Sequence, residues 1–216
     1  MRHSPLKAQH ALHCAEWITV NAMAMPVRYP ASVEVESVVL ADVSCGMRAG
    51  LKGSGAAAWL ALRGIIVPGR HNSWGRTETG SLIARLGETE FLIEDMQAPG
   101  IAVAVANELG GAPSDVYPVL RQDVSLLLYG QRASSVLLES CSLDFRDLKT
   151  ERGDLALTSM LGVSVLVVPV GILPSAYRIW ADPSFGPYLW DTLWEIVTAH
   201  GGGAAGWSQL DVRCLA

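Results

Sequence analysis

Met47-Arg48-Ala49-Gly50-Leu51-Lys52-Gly53-Ser54-Gly55-Ala56-Ala57-Ala58-Trp59-Leu60-Ala61-Leu62 decides the reading of the fold, because its pattern returns at Val124-Ser125-Leu126-Leu127-Leu128-Tyr129-Gly130-Gln131-Arg132-Ala133-Ser134-Ser135-Val136-Leu137-Leu138. In each stretch a strand-like run reaches a glycine, Gly53 or Gly130, and a short helix-forming run comes next. A glycine at a strand-to-helix turn takes positive φ without a Cβ clash and lets the helix begin close to the sheet. Helical spacing then turns Ala57 and Leu60, and in the second copy Ala133 and Leu137, toward the core.

The segments C-terminal to the two copies also match. Leu82–Gly87 and Thr89–Glu94 read as a hairpin before a helix over Ile101–Leu109, ended by Gly110-Gly111. Leu155–Leu161, Val163–Val168 and Tyr177–Ala181 read as strands before a helix over Ser184–His200, ended by Gly201-Gly202-Gly203. Ahead of the first copy, Val33-Glu34-Val35-Glu36 alternates apolar and acidic residues at strand period. Two copies at this spacing are too few and too long for a solenoid. The expected fold is therefore α+β, with two pseudo-symmetric ferredoxin-like halves packed sheet to sheet. The halves are drawn at residues 31–112 and 113–216. Before them, residues 1–30 form an N-terminal arm that ends in Met25-Pro26 and Tyr29-Pro30 and packs on the body or on a partner.

Half of the 216 residues are hydrophobic and 17% are charged, which excludes a disordered chain. Sixteen Lys and Arg against 21 Asp and Glu give a net charge of −5 with no dense basic stripe, so no nucleic-acid partner is expected. A mean hydropathy of +0.28 with so few charges points to more apolar surface than a free monomer shows, and hence to a subunit of something larger. Cys14, Cys45, Cys141 and Cys214 are far apart, with no C-x-x-C pair and no His at ligand spacing. Neither a zinc site nor a redox motif is spelled out, and reduced buried thiols in a cytoplasmic protein are the expectation. No apolar run succeeds the basic start, so no secretory signal is expected. The longest apolar stretch, Leu161 to Leu173, is broken by Pro169 and too short for a bilayer; it reads as buried strand, and no membrane partner is expected.

Some words in the sequence carry a resemblance. Leu40-Ala41-Asp42-Val43-Ser44, followed by Leu51-Lys52-Gly53-Ser54-Gly55-Ala56-Ala57-Ala58-Trp59-Leu60, resembles the opening of folate-binding aminomethyltransferase-like (T-protein) domains. Pro68-Gly69-Arg70-His71-Asn72-Ser73-Trp74 and Arg85-Leu86-Gly87-Glu88-Thr89-Glu90-Phe91-Leu92 resemble the gamma subunit family of heterotetrameric sarcosine oxidase. So do Cys141-Ser142-Leu143-Asp144-Phe145 and Ser184-Phe185-Gly186-Pro187-Tyr188-Leu189-Trp190, and the words keep their order from roughly Val38 to Gly202. Their order is more specific than any one of them.

The resemblance implies an accessory subunit of a flavoenzyme complex that oxidatively demethylates sarcosine, or a related N-methyl amine, and passes the one-carbon unit to tetrahydrofolate. It places the flavins, NAD and zinc in partner subunits and none on this chain, with tetrahydrofolate the one group this fold could take. The chain has no G-x-G-x-x-G after a strand and no Walker loop, in agreement. It departs from its catalytic relatives in being shorter than a full T-protein, so the C-terminal barrel domain is not expected, and it also lacks the K-G-C-Y-x-G-Q-E signature of the stand-alone iron–sulfur-assembly branch of this fold. Pro183 also stands where the gamma pattern commonly has arginine, which puts an anion contact there in doubt. The competing reading is a stand-alone tetrahydrofolate-binding, aminomethyltransferase-like protein with a pocket between the halves lined by Asp42, Ser44, Arg85 and Asp123.

Individual residues carry alternatives. Asp42 and Ser44 read either as a pocket rim, the carboxylate accepting from the amino edge of a pterin-like ring, or as a turn that caps backbone amides. Arg70, His71, Asn72 and Trp74 form a polar-aromatic loop that either holds a ring and a carboxylate or contacts a partner; contact is favoured because Trp and Arg most often anchor interfaces. Tyr188 joins Arg70, Asn72 and Trp74 as an interface candidate, since Trp190 and Trp194 share a helix face and Tyr188 does not. Asp123, near Arg121 and Asp115, has no histidine or nucleophile beside it in sequence, and no catalytic residue is expected. His200 reads as a helix-end residue without a spaced acidic partner.

Overall fold

Residues 2–14, 16–30, 37–170 and 175–210 are described by the structure, a computed structural model. In chain order the strands and α-helices are β1 (Arg2–His3), α1 (Lys7–Ala11), β2 (Trp17–Val20), β3 (Met23–Pro26), β4 (Val39–Asp42), β5 (Met47–Lys52), α2 (Ala56–Ala61), β6 (Ser73–Arg76), β7 (Leu82–Arg85), β8 (Glu90–Asp95), α3 (Ile101–Glu108), β9 (Tyr117–Val119), β10 (Val124–Tyr129), α4 (Ala133–Ser140), β11 (Ala156–Met160), β12 (Val163–Pro169), β13 (Ala176–Ala181), α5 (Gly186–Ala199) and β14 (Gly203–Ala205). The strand expected over Val33–Glu36 lies outside the described residues, as does Cys214.

The chain forms two compact units. The first comprises Met1–Cys45, Asp123–Thr150 and Ala156–Leu215; the second comprises Gly46–Gln122 with Glu151–Leu155. In the second unit an antiparallel sheet runs β6-β7-β8-β5-β9. Leu51, Ile83, Phe91 and Ile93 from its strands pack against Trp59 and Leu60 of α2 and Ala102 and Val105 of α3. In the first unit the sheet runs β11-β12-β13-β10-β4-β14, antiparallel except for the parallel β14–β4 pair. There Leu126, Leu128, Val165, Val167 and Ile179 share a core with Val136 and Leu137 of α4 and Leu189, Trp190 and Leu193 of α5. Alternate positions along each strand enter that core, as a period of two requires.

The repeat read from the sequence is present, and β6 completes it. Each copy is strand, helix, three strands, helix, and the sheet order β6-β7-β8-β5 matches β11-β12-β13-β10. Gly53 and Gly130 take φ of +128° and +127° at the two equivalent turns. A Cβ on Gly53 would meet the Asp115 carbonyl oxygen at 2.1 Å, and one on Gly130 would meet the Ser37 carbonyl oxygen at 2.4 Å. Both turns therefore need a residue with neither a side chain nor a bias against positive φ.

The compact units do not follow the division at residues 112 and 113, because the repeats exchange their leading strands. β4 precedes β5 in sequence but pairs with β10, through Leu126 opposite Asp42 and Leu128 opposite Leu40. β9 precedes β10 but pairs with β5, through Gly50 opposite Val119. Each sheet thus places, beside its own first strand, the strand that opens the other copy; β9 is the edge of the second unit's sheet, whereas β14 adds beyond β4 in the first. The N-terminal arm has structure of its own: β1, β3 and β2 form a small sheet in that order, and Leu6, His10 and Met25 are fully buried in the first unit. The buried positions of α2 are Ala56, Trp59 and Leu60, and Ala57, expected to face the core, is partly buried and packs against it. Among the described residues no helix is long and apolar enough to cross a membrane.

Candidate functional site

Asp42 closes β4 inside the first unit, with a fully buried side chain. Its Oδ2 accepts from Ser4 Oγ and lies 2.8 Å from His10 Nε2, and its Oδ1 accepts from the Ser44 amide at 2.8 Å. His10 Nδ1 lies 2.5 Å from the Tyr29 hydroxyl, so the cluster is a hydrogen-bonded line from Ser4 and Asp42 through His10 to Tyr29. The His10 ring sits edge-on to Trp190 at 5.2 Å and to Tyr29 at 6.1 Å, which fixes it from the sides. Burial by itself would push the Asp42 carboxyl up. The hydrogen bond and charge interaction with His10, with the Ser4 and Ser44 bonds, outweigh it and hold the carboxyl below its ordinary value. Burial pushes the Tyr29 hydroxyl up, reinforced by Cys14 and Asp42, and it raises the Cys14 thiol as well.

An Asp–His–Tyr line is a geometry that moves protons when a substrate can reach it, but here Asp42 and His10 are wholly enclosed. The cluster ties the arm, through Ser4, His10 and Tyr29, to the strand that carries Asp42. A 2-amino-4-oxo ring would need both oxygens of a reachable carboxylate. Asp42 as placed does not fit that partner, because both its oxygens accept from within the chain. Nothing local in the sequence marks His10 or Tyr29 as partners of Asp42; the contact spans 32 residues.

The other predicted pocket residues are distributed. Ser44 lies with Asp42, its amide closing an Asx turn, and its Oγ accepts from the Ser125 amide at 3.0 Å. Asp123 is half-buried at the entry to β10 in the first unit. Arg85 belongs to the second unit, where its guanidinium donates to the carbonyls of Glu88 at 2.8 Å, Gly69 at 3.0 Å, Pro68 at 3.2 Å and Gly87 at 3.3 Å. It fastens the β7–β8 turn to the loop over residues 68 and 69. Arg178, not singled out by the sequence, is buried in the first unit and donates to Ser125 Oγ at 3.0 Å.

The Arg70–Trp74 segment lies in the second unit. Arg70 donates to the Arg152 carbonyl at 2.8 Å and pairs with Asp154 at 3.1 Å, and Asn72 is exposed with φ of +51°. Trp74 departs from the expectation of an exposed anchor: it is 7% exposed, because the segment enters β6 at Ser73 and turns the ring inward. Its indole N–H is buried and has no hydrogen-bond partner among the described residues. Trp74→Phe should therefore lower stability by no more than about 1 kcal/mol, whereas Trp74→Ala should lower it by about 3–5 kcal/mol in urea titrations of the isolated chain. Equal losses for the two variants would mean that the N–H has a role this geometry does not give it. Beside Trp74 lies a cavity of 480 Å³, with Ile66, Val67 and Ile83 on its walls and Arg76 and Glu78 among its polar lining.

On α5, Trp190 is buried and stacks edge-on with Trp194 at 5.7 Å, while Tyr188 is 52% exposed and donates to the Leu161 carbonyl at 3.1 Å. His200, read as lacking an acidic partner, caps α5 and lies 2.7 Å from Glu139 of α4. Among the described residues no three His, Cys, Asp or Glu side chains come together to hold a metal ion.

No protein-family model matches the chain. In sequence it is 28% identical over 140 residues to sarcosine oxidase subunit gamma of Corynebacterium sp. (strain U-96), covering 65% of this chain and 67% of that protein. In structure it is similar to the glycine cleavage system aminomethyltransferase T of Bartonella henselae, with a TM-score of 0.74 at 15% identity over 99% of this chain. The chain spans 62% of that aminomethyltransferase, less than two thirds of its length. It is also similar to a chain of the heterotetrameric sarcosine oxidase of Corynebacterium sp. U-96, solved in complex with pyrrole 2-carboxylate: TM-score 0.65, 23% identity, 94% of this chain and 97% of that one. The α+β fold of the T-protein kind is borne out, and so is the resemblance to the sarcosine oxidase gamma subunit.

Proposed function

We propose that the chain is the accessory gamma subunit of a heterotetrameric sarcosine oxidase-type complex, with a structural role in the oxidative demethylation of sarcosine and one-carbon transfer to tetrahydrofolate. The observation that carries this reading is the 28% identity over 140 residues to a sarcosine oxidase gamma subunit. The site geometry supports it, since Asp42, which a folate-binding role would use, is spent on holding the chain's own N-terminal arm. On this reading the flavins, NAD and zinc belong to partner subunits, and the complex is cytoplasmic. The buried, unbridged thiols of Cys14 and Cys141 agree with a reducing compartment.

Co-expression with the genes flanking its own, then affinity capture through this chain, should recover flavin-containing partners in a defined stoichiometry. A monodisperse monomer that captures none of them would overturn the assignment. Calorimetry with tetrahydrofolate on the isolated, folded chain should give no saturable heat. Binding in the micromolar range, about −8 kcal/mol, would instead support a stand-alone aminomethyltransferase-like protein.

A further inference from the structure

The second unit presents a surface that its own fold does not use. Leu62, at the C-terminal end of α2, and Ile66, in the loop after it, are 86% and 88% exposed. Single exposed apolar residues are ordinary, but these two lie four residues apart, and Ile66 lines the mouth of the 480 Å³ cavity whose walls include Val67, Trp74 and Ile83. The charge around this feature runs against the rest of the molecule. Residues 62–77 hold Arg63, Arg70, His71 and Arg76 and not one Asp or Glu, in a chain whose net charge is −5, and of these Arg63 is paired with Glu108 at 2.7 Å. Arg70 and Arg152 both pair with Asp154, and the described residues lining the cavity include the cation Arg76 and the acid Glu78. An apolar recess lined by Arg76, with the exposed Arg70 in the chain segment between its lining residues Pro68 and Trp74, is complementary to a bulky apolar side chain flanked by carboxylates.

We propose that this recess is where a partner subunit docks, seating an aromatic or branched aliphatic side chain between Ile66 and Trp74 while neighbouring Asp or Glu residues meet Arg70 and Arg76. The inference rests on the accessory-subunit reading and names the surface and the chemistry of the partner that reading requires. Affinity should depend on the apolar contact and association rate on the arginines, because exposed charges steer encounter more than they hold the complex.

The test uses the full chain and the partners it captures. Ile66→Glu should weaken the complex by about 30-fold or more, the scale of an interface anchor, with an unchanged melting temperature in the isolated chain because the side chain is exposed there. The double variant Arg70→Glu/Arg76→Glu should slow association about tenfold and flatten its dependence on salt. Leu157→Glu, on β11 of the first unit, should change neither. Should Ile66→Glu fold poorly, hydrogen exchange of the wild-type chain decides, with residues 64–79 gaining protection on assembly. A complex that forms normally with both variants, or that leaves residues 64–79 unprotected, overturns this inference alone. Self-association of the isolated chain that Ile66→Glu abolishes would make the occupant a second copy and overturn the partner assignment. Absence of any complex with the wild-type chain defeats the subunit reading and this inference with it.

Discussion

Asp42→Ala is expected to destabilise the first unit by about 3–5 kcal/mol and to release residues 2–14 to fast hydrogen exchange. Removing one member of a buried, hydrogen-bonded pair leaves the other enclosed without its partner, and that penalty exceeds the net value of the pair. Ser4 Oγ, His10 and the Ser44 amide would all lose their acceptor together, inside a site where water cannot replace it. Asp42→Asn keeps an acceptor oxygen and the volume, so it should lose roughly half as much. The pH dependence has a definite sign. The folded carboxyl is held below its unfolded value of 3.8, so its contribution is fully present above that value and is lost as pH falls through the folded value. Urea midpoints taken downward from pH 7 should therefore drop more steeply below about pH 4 in the wild-type chain than in Asp42→Asn. Parallel curves would show that the carboxylate adds nothing through its charge.

The part of the fold legible in the sequence is the part whose cause is local. The Val-rich apolar run Val163–Val168, the glycine at each strand-to-helix turn and the glycines after α3 and α5 are short-range signals, and elements stand where those signals place them. Ser73-Trp74-Gly75-Arg76 has no alternation of apolar and polar residues, so β6 could not be read from it; pairing with β7, Trp74 opposite Ala84, makes it a strand. The exchange of β4 and β9 is silent in the sequence for the same reason, since nothing in Val39–Asp42 says that its partner is Leu126–Tyr129 and not the next strand along the chain. The candidate site is less legible still. Asp42 and Ser44 carry the signature of a turn, but what the carboxylate faces depends on His10 and Tyr29 arriving from the arm. Trp74 reads as an exposed loop residue until β6 turns it inward, and the recess beside it is formed by loops whose composition gives no periodic signal.

Gly53→Ala and Gly130→Ala are expected to be about equally damaging, each lowering stability by roughly 3 kcal/mol or more, because the two positions are the same turn built twice. Two independent penalties add at each. The backbone stands at φ near +128° or +127°, which glycine adopts freely and an L-residue adopts only under strain. The new methyl would also fall 2.1 Å from the Asp115 carbonyl oxygen in one case and 2.4 Å from that of Ser37 in the other. Those obstacles are main-chain atoms in the segments that lead into β9 and β4, so they cannot rotate away as a side chain would. Gly55 accepts the same approach, its amide donating to the Asp115 carbonyl at 3.2 Å, and the Arg132 amide donates to the Ser37 carbonyl at 3.0 Å in the matching place. Relief of the clash must therefore push the leading strand of one repeat off the sheet of the other. Hydrogen exchange separates the two variants: Gly53→Ala should expose the β5–β9 pair and Gly130→Ala the β4–β10 pair. Gly64→Ala is the control, since it has positive φ at +71° but nothing within 4 Å of the added carbon, so only the backbone strain of about 1–2 kcal/mol should appear. Losses at Gly53 and Gly130 no larger than at Gly64 would show that the exchanged strands can shift freely, and the pairing of β4 with β10 and β9 with β5 would not be what these two turns hold in place.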